Sequence, residues 1–598
     1  MKTNKPFLFE VSWEVCNKIG GIYTVLESKS DCMESQYEDN YFLIGPFLGE
    51  SSFTQFEPKE LPDFLKKAEE ELKKVGIEIH YGRWLIGPEP QVILVDFKNY
   101  LPEINKIKET LWDWYGIDSI TASFDFNEPV AWSWAVGKFL EIVKNDGLKN
   151  QKTIVHCHEW LAGTAILYLK KVGSDVATVF TTHATFLGRV LASAEINFYK
   201  DIDKINPDQK AKELGIVPKH LLEKTIALSC NVLTTVSEIT AIEAEHFYGR
   251  KPEVILHNGL NFKAFPDTEE ITFKHTEYKR IIKEFIMYYF FPYYKFNLDK
   301  TLIYFLVSRY EMHAKGIDLF IDSLSELNKK LKAQNSEKTI IAFLSVPTAV
   351  NEIRPEIVQS KAIFSNIKQL LESEMQSIQN RLLRACTGEF KIADYLILEK
   401  ELKTKIYAKI KQFNETGEPA LCTHNLRDNG GDAILNRLKD KGLTNSKDDR
   451  VKVVSIPVYL NGSDGLLDIN LYDFIAGSHF GVFPSFYEPW GYTPLEAGAL
   501  GVPSVTSDLS GFGFAVNNLG KPSKLPGSYV LKRTDYDYEK ELKDLTSILY
   551  KYTTFNKDER LLSRIHANQV AKNYSWKILS KNYFEAHELA LKLAGGKK

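Results

Sequence analysis

Residues 480–513 read FGVFPSFYEPWGYTPLEAGALGVPSVTSDLSGFG. Phe480–Phe483 is the apolar run of a buried strand. Ser485–Gly491 is a Pro/Trp/Gly loop, and Thr493–Leu500 carries a helical pattern closed by Gly501 and Pro503. Thr493 suits an N-cap, Pro494 the first helical position, and Glu496 the acidic place of a capping box. A strand whose carboxyl end feeds a loop into a helix N-terminus is where α/β proteins hold anions, because unpaired N–H groups and the helix dipole converge there. The N–H groups of Gly491, Tyr492 and Thr493 are expected to face such a ligand. Glu488 has no capping duty in its loop, which makes it a binding or catalytic candidate. Glu496 is either a capping residue or a ligand contact.

The same alternation extends outward in both directions. Phe7–Ser12, Asn40–Ile44, Val92–Asp96, Thr153–Cys157, Ala177–Thr182, Val232–Val236 and Glu253–Leu256 read as buried strands, each followed by a loop and a segment of 3.6-residue period. A second series comprises Thr301–Val307, Thr339–Val346, Val451–Ile456, Phe480–Pro484 and Val502–Thr506. The pattern predicts an α/β protein with two Rossmann-like parallel sheets rather than the four domains that about 150 residues per domain would suggest. Residues 1–270 form the first domain and 271–574 the second, with an amphipathic helix at 575–598 returning to the first. The block 352–413, rich in Lys, Glu, Gln, Leu and Ile, is a helical insertion that serves oligomerisation, a lid or a solvent-facing helix pair.

Composition narrows the function classes. Of 598 residues, 44% are apolar and 26% charged, with 75 basic against 78 acidic groups and a net charge of −3. Nucleic-acid binding is disfavoured without a basic excess. Six scattered cysteines with no CxxC pair imply reduced thiols in a cytosol. No signal peptide is visible. The greasiest stretches, Leu302–Val307 and Phe285–Tyr294, fall far short of the ~20 residues a bilayer requires. No GxGxxG follows a strand and no GxxxxGK[ST] occurs, which removes the nicotinamide and P-loop readings.

Other chemistry-bearing residues sit at strand ends. Lys18, Gly20 and Gly21 belong to a turn before the helical run Tyr23–Ser30, where paired glycines permit close backbone approach to a phosphate. Arg309 and Lys315 follow one strand, His183 and Arg189 another; such cations can converge on a departing diphosphate. His156–Cys157–His158–Glu159 invites a zinc reading, but no remote ligand pair has suitable spacing, and no metal is expected. Asp428–Asp432 reads as a turn. Trp160, Tyr487 and Trp490 fall in post-strand loops, where they either stack on sugars or pack.

With these residues in place, the chain resembles eukaryotic-type glycogen synthase. The resemblance is carried by EVSWEVCNKIGGIYTVLESK at 10–29, HCHEWLAG at 156–163, TTHATFLGR at 181–189 and TTVSEITAIEAEHF at 234–247. It continues through HNGLN at 257–261, SRYEMHAKG at 308–316, CTHNL at 422–426 and VFPSFYEPWGYTPLEAG at 482–498. It implies the GT-B architecture, two Rossmann-like domains facing a cleft, and metal-independent, retaining transfer of glucose from UDP-glucose to an α-1,4-glucan, without a cofactor. Glu488 and Glu496 are similar to the family's E-x7-E pair, on donor glucose and ribose. Arg309 and Lys315 match its diphosphate pair, Arg189 reaches across the cleft, and His183 and Asn258 match positions near the donor glucose. Lys18, Gly20 and Gly21 match its glycine turn, and 352–413 matches an oligomerisation insert, implying a homo-oligomer such as a tetramer.

Two departures stand out. The arginine cluster that binds glucose 6-phosphate in regulated members corresponds here to 558–576 (DERLLSRIHANQVAKNYSW), with only Arg560, Arg564 and Lys572. That count, and 598 residues being short for the family, predict little activation by this effector and no phosphorylation switch. A uracil-stacking tyrosine falls near Leu471, with Tyr472 adjacent, so ADP-glucose stays open as donor. Another retaining glucosyltransferase, a phosphorylase and a non-catalytic glucan scaffold are the competing readings.

Overall fold

The computed structural model describes residues 5–389, 400–428, 430–520 and 523–596. The apolar runs become strands because their side chains are sealed on both faces. The first sheet contains β1 (Phe7–Val11), β2 (Tyr41–Pro46), β3 (Phe56–Pro58), β4 (Glu78–Trp84), β5 (Gln91–Asp96), β6 (Thr153–His158), β7 (Ala177–Thr182), β8 (Val232–Thr235) and β9 (Val254–Ile255), in the order β3-β4-β5-β2-β1-β6-β7-β8-β9. The second contains β10 (Thr301–Val307), β11 (Thr339–Ser345), β14 (Val451–Ile456), β15 (Phe480–Val482), β16 (Ser504–Ser507) and β17 (Ser528–Leu531), in the order β14-β11-β10-β15-β16-β17. Between β11 and β14 lies a small antiparallel hairpin of β12 (Val350–Ile353) and β13 (His424–Leu426).

The expected parallel sheets are found, with one correction. β4 pairs antiparallel with both β3 and β5 at the edge of the first sheet. Its sequence, EIHYGRW, alternates polar and apolar groups, so a search for continuous apolar runs passes over it. β12, β13 and β17 are three or four residues long and were equally invisible. Glu352 belongs to β12 and not to a helix.

The inserted block folds as the helices Pro355–Cys386 and Lys400–Phe413; residues 390–399 lie outside the described residues. The first helix has 32 residues, about 48 Å at 1.5 Å per residue, yet buries only Ile357 and Ser360. Its base is tied down by Lys361–Asp468 (2.6 Å) and Lys368–Glu284 (3.0 Å). Farther out it exposes Met375 and Leu383.

The last helix, Trp576–Gly595, packs on the first sheet. Tyr583, Ala586 and Ala590 join a core with Leu8, Val25 and Val179. His587 hydrogen-bonds to His156 (3.0 Å) and Tyr37 (2.7 Å), and Leu260 exchanges backbone hydrogen bonds with Tyr574 and Trp576 where the chain crosses back. Among the described residues no helix is long and apolar enough to cross a membrane.

Candidate active site

The carboxyl ends of β1, β7, β10 and β15 deliver their loops to one cavity of about 570 Å³ between the two sheets. It is lined by Gly20, Gly21, His183, Arg189, Asn258, Arg309, Lys315, Glu488, Gly491, Tyr492 and Thr493. Gly20 and Thr493, 473 positions apart in the chain (493 − 20), thus meet in one cavity.

The loop after β15 is zipped to the loop after β10. The N–H groups of Phe486 and Tyr487 both donate to the Ala314 carbonyl, at 2.8 and 3.0 Å. Gly316 adopts φ +68°, and a Cβ there would come within 2.1 Å of the Pro484 carbonyl oxygen, so only glycine allows the approach. The result is an ion pair at the cavity wall: Lys315 Nζ donates to Glu488 Oε2 at 2.7 Å. Arg309 stands beside it, mostly exposed, and pairs with Glu311 at 3.1 Å.

The helix after this loop starts two residues earlier than expected, with Tyr492 and not Pro494 in the first helical position. It spans Tyr492–Ala499, and its N-cap is Gly491 at φ +105°, not Thr493. A left-handed glycine ends the loop more sharply than an extended threonine can, and no side chain caps the helix. Its first N–H groups are therefore left for a ligand, as an anion site requires. The capping-box reading of Glu496 is also corrected. Its buried carboxylate accepts from the Tyr472 hydroxyl at 2.8 Å and does not line the cavity. Tyr472 packs against Phe265, with ring centroids 5.4 Å apart.

The opposite wall is built from the first sheet. Arg189 opens into the cavity; enclosure works against its charge, but Glu159, Tyr487, Glu223 and Glu311 hold its pKa above the ordinary value. Glu159 is a residue whose importance the zinc question obscured. It sits at φ +66°, a left-handed conformation that costs a non-glycine residue about 1–2 kcal/mol. Its carboxylate accepts from the N–H groups of His183 (2.7 Å) and Ala184 (3.0 Å), which fixes the loop that carries His183. Behind it lie buried Glu223 and Glu243, whose pKa values burial pushes up to about 8 and about 7.

The glycine turn differs from its expected role. The N–H groups of Gly20 and Tyr23 donate to Glu14 Oε2 at 3.0 and 2.8 Å, so a carboxylate of the chain itself occupies this helix start. Lys18 is exposed, lies 5.3 Å from the Tyr23 ring centroid, and is not part of the cavity wall. Three buried polar atoms of cavity-lining residues have no partner among the described residues: Asn258 Oδ1, Trp490 Nε1 and the Tyr492 hydroxyl. Orphaned donors and acceptors of this kind are what a polar ligand satisfies. Tyr487 is buried and reaches Glu243 at 3.4 Å, Trp490 stacks on His257 at 5.1 Å, and Trp160 stacks on Phe126 at 6.0 Å.

His156 and His158 do cluster with Glu10, within 4.8 Å of one another. The Lys29 ammonium already pairs with that carboxylate, and His156 is bonded to His587 and Thr181, so the donor set is spent without a metal. In the Asp428–Asp432 stretch, Asn429 lies outside the described residues; Asp428 accepts from Gly431 N–H and Asp432 caps the next helix.

A second cationic locus lies away from the cavity. Arg560 and Arg564, on the helix Lys557–Lys572, are joined by Lys279 and Lys283 from the helix Thr268–Phe290 and by Lys557, beside His275 and His479. These cations extend beyond the stretch 558–576 on which the expectation of little glucose 6-phosphate activation rests. Arg564 is buried with one terminal guanidinium nitrogen unpartnered among the described residues, and burial pulls its pKa down to about 10.

A sequence profile described as glycogen synthase matches residues 10–597. The chain is 36% identical over 593 residues to the liver glycogen [starch] synthase of Rattus norvegicus, covering 98% of this chain and 83% of that one. It is 36% identical over 594 residues to the glycogen [starch] synthase of Neurospora crassa, covering 98% and 84% of the two chains. Among solved structures, the catalytic domain of Starch Synthase IV from Arabidopsis thaliana, bound to ADP and acarbose, superimposes with a TM-score of 0.54 at 14% identity, over 98% of this chain and 100% of that chain. That last likeness concerns the fold alone.

Proposed function

The chain belongs to the glycogen synthase family, has the GT-B fold and is a glycosyltransferase, and on that premise we propose that it transfers glucose from UDP-glucose to the non-reducing end of an α-1,4-glucan with retention of configuration. The observation that carries this reading is the Lys315–Glu488 pair at 2.7 Å, in one cavity with Arg309, Arg189, His183 and Asn258 at an uncapped helix start.

In the proposed reaction the donor diphosphate lies against Arg309, Lys315 and the N–H groups of Gly491, Tyr492 and Thr493. Arg189 approaches it from the first sheet. As the bond between the anomeric carbon and the phosphate oxygen breaks, negative charge grows on the departing nucleotide and meets fixed cations and dipoles, the largest single source of such rate enhancement. The departing phosphate oxygen takes the proton of the acceptor 4-hydroxyl on the same face while that hydroxyl bonds to the anomeric carbon. Attack and departure on one face retain configuration. Glu488 orients the sugar and offsets positive charge at the anomeric carbon without bonding to it. Glu496, held by Tyr472, supports the nucleotide side, and Lys18 joins through movement of its turn.

The cations do the electrostatic work here, and the reading includes neither metal nor cofactor. The first domain, residues 1–270 with the helix 575–598, takes the glucan side, and 271–574 the nucleotide side. A homo-oligomer such as a tetramer, assembled through 352–413, and a cytoplasmic location complete the proposal.

Glucose incorporation into glycogen, measured side by side from UDP-glucose and ADP-glucose, tests it. Incorporation from UDP-glucose that disappears in Glu488→Gln is the expected result. Preference for ADP-glucose would replace the donor, and no incorporation from either would sink the reading.

A further inference from the structure

Behind the cavity wall, Glu10, Lys29, Tyr41, His156, His158, His183 and His587 form a connected polar network inside the first sheet, all with relative exposures of 9% or less. Such a network is costly unless every member is satisfied. The strand register explains its assembly: Glu10 of β1 pairs with His156 of β6, and the period of two brings His158 to the same face.

We propose that Glu10 and His158 are positioning residues for the transfer reaction, which hold His183 in the tautomer whose bare Nδ1 faces the sugar end of the cavity. The proposal rests on the donor-sugar reading above. His183 lines the cavity, and its Nε2 lies 2.9 Å from His158 Nδ1. His158 Nε2 lies 2.7 Å from Glu10 Oε1. Glu10 also accepts from the Lys29 ammonium and, at 2.7 Å, from the Tyr41 hydroxyl. Burial alone would raise its pKa, but Lys29 and the His158 hydrogen bond hold it well below the usual carboxylate range. An ionised Glu10 can only accept, so the His158 proton resides on Nε2. His158 Nδ1 is then a lone pair, and His183 must donate to it from Nε2–H. That leaves His183 Nδ1 without a proton and, among the described residues, without a hydrogen-bond partner. One ring nitrogen's partner sets the state of the other.

The alternative, an imidazolium at His158 that donates in both directions, would add a second buried cation beside Lys29. Glu10 supplies one negative charge for two positive ones, and burial pushes the pKa values of His158 and His183 down. A neutral His183 with a bare Nδ1 can accept from a donor hydroxyl. It also places no positive charge beside the anomeric carbon, where cationic character develops.

The direct test is long-range ¹H–¹⁵N correlation of the histidine-labelled wild-type protein, with the His183 signals assigned through His183→Asn. The expected result is an unprotonated Nδ1 and a protonated Nε2. The opposite tautomer or an imidazolium would overturn the proposal, whatever the donor proves to be. The activity arm uses Glu10→Gln combined with Lys29→Met, so that no lone ammonium is buried. The amide can donate to His158 Nε2 and reverse the relay. Donor kcat/KM should fall roughly 10–100-fold, and the penalty for one of a set of monodeoxy UDP-glucose analogues should collapse. Glu10→Asp should restore both. Unchanged discrimination among the analogues in a folded variant would also overturn it. If the double variant does not fold, the wild-type spectrum still decides. Loss of the family reading itself would show separately, as wild-type protein inactive on nucleotide glucose.

Discussion

The molecule gathers cations in two places and treats them in opposite ways. In the cavity every cation faces a carboxylate: Lys315 with Glu488 at 2.7 Å, Arg309 with Glu311 at 3.1 Å, and Arg189 with Glu159. At the second locus, among the described residues, Arg560 and Arg564 reach only backbone carbonyls, of Phe555 and Ser478, and Lys283 alone has an acid, Asp299 at 3.2 Å. Paired cations are preorganised and nearly neutral, which suits an anion that must enter, react and leave. Unpaired cations raise the energy of the folded chain and favour an anion that stays.

Breaking the cavity pair should have the largest effect. Glu488→Gln is expected to cut kcat by roughly 10²–10³-fold, the scale of losing one preorganised electrostatic contact to a transition state. Thermal denaturation should shift modestly and the fold should hold, because the amide oxygen still accepts from the Lys315 ammonium, which is only 9% exposed. Glucose transfer and circular dichroism melting on the same preparation check both halves. Near wild-type turnover would end the assignment.

Next comes the unpaired locus. Glucose 6-phosphate should raise the melting temperature in a concentration-dependent way, by linkage of about 2.7 kcal/mol at a hundredfold excess over Kd. Arg564→Gln should abolish the rise without lowering basal transfer. No shift in the wild-type melt would show these cations to be purely structural. A rise in Vmax with the sugar phosphate would overturn the expectation of an unregulated enzyme.

This contrast also marks what the sequence could disclose. The cavity was legible because its residues occur in short blocks at strand ends, where chain order and spatial order coincide. Lys315 and Glu488 each stand out in such a block, and the fold pairs them. The second locus was legible only in part, through Arg560 and Arg564, because Lys279 and Arg564 come from helices 285 residues apart (564 − 279), with nothing local to join them. Glu14 and Glu159 were missed for another reason: their task is to bind backbone N–H groups, and loop geometry decides that. Glu10 carried a usable signal, a charge in the middle of the buried strand FLFEV.

A pH titration sharpens the comparison at smaller amplitude. Glu223 and Glu243, behind Arg189, have folded pKa values raised by burial to about 8 and about 7. An unfolded glutamate titrates near 4.3, so the folded state binds more protons between these limits. Their contribution is complete below about pH 4.3 and is lost as pH rises through 7 and 8, with a slope of up to about 1.4 kcal/mol per pH unit per group. Lys279 runs the other way. Burial, and then Lys283, Arg564, Arg560 and Lys557, lower its pKa to about 8. The folded state therefore binds fewer protons than an unfolded lysine, and stability is regained as pH rises from about 8 towards 10.4. In denaturant melts from pH 5 to 9, stability should fall as pH rises from 5 towards 8, and Glu243→Gln should flatten that limb while Lys279→Met leaves it unchanged.

The smallest expected effect concerns Glu14, a cavity carboxylate near Arg189 that is held chiefly by backbone N–H groups. Glu14 accepts from Gly20 and Tyr23 N–H, taking the helix start that a phosphate could use, and burial raises its pKa. It is thus a third way to balance positive charge, with backbone dipoles in place of side-chain cations. Glu14→Gln keeps a carbonyl acceptor for the same N–H groups but removes the negative charge from the path of the donor diphosphate. Donor KM should fall by about twofold with kcat unchanged, the size of a screened charge contact of about 0.5 kcal/mol. A rise in KM would mean instead that the charge is needed to hold the glycine turn in shape. The cavity's balance would then depend on Glu14 as much as on the Lys315–Glu488 pair.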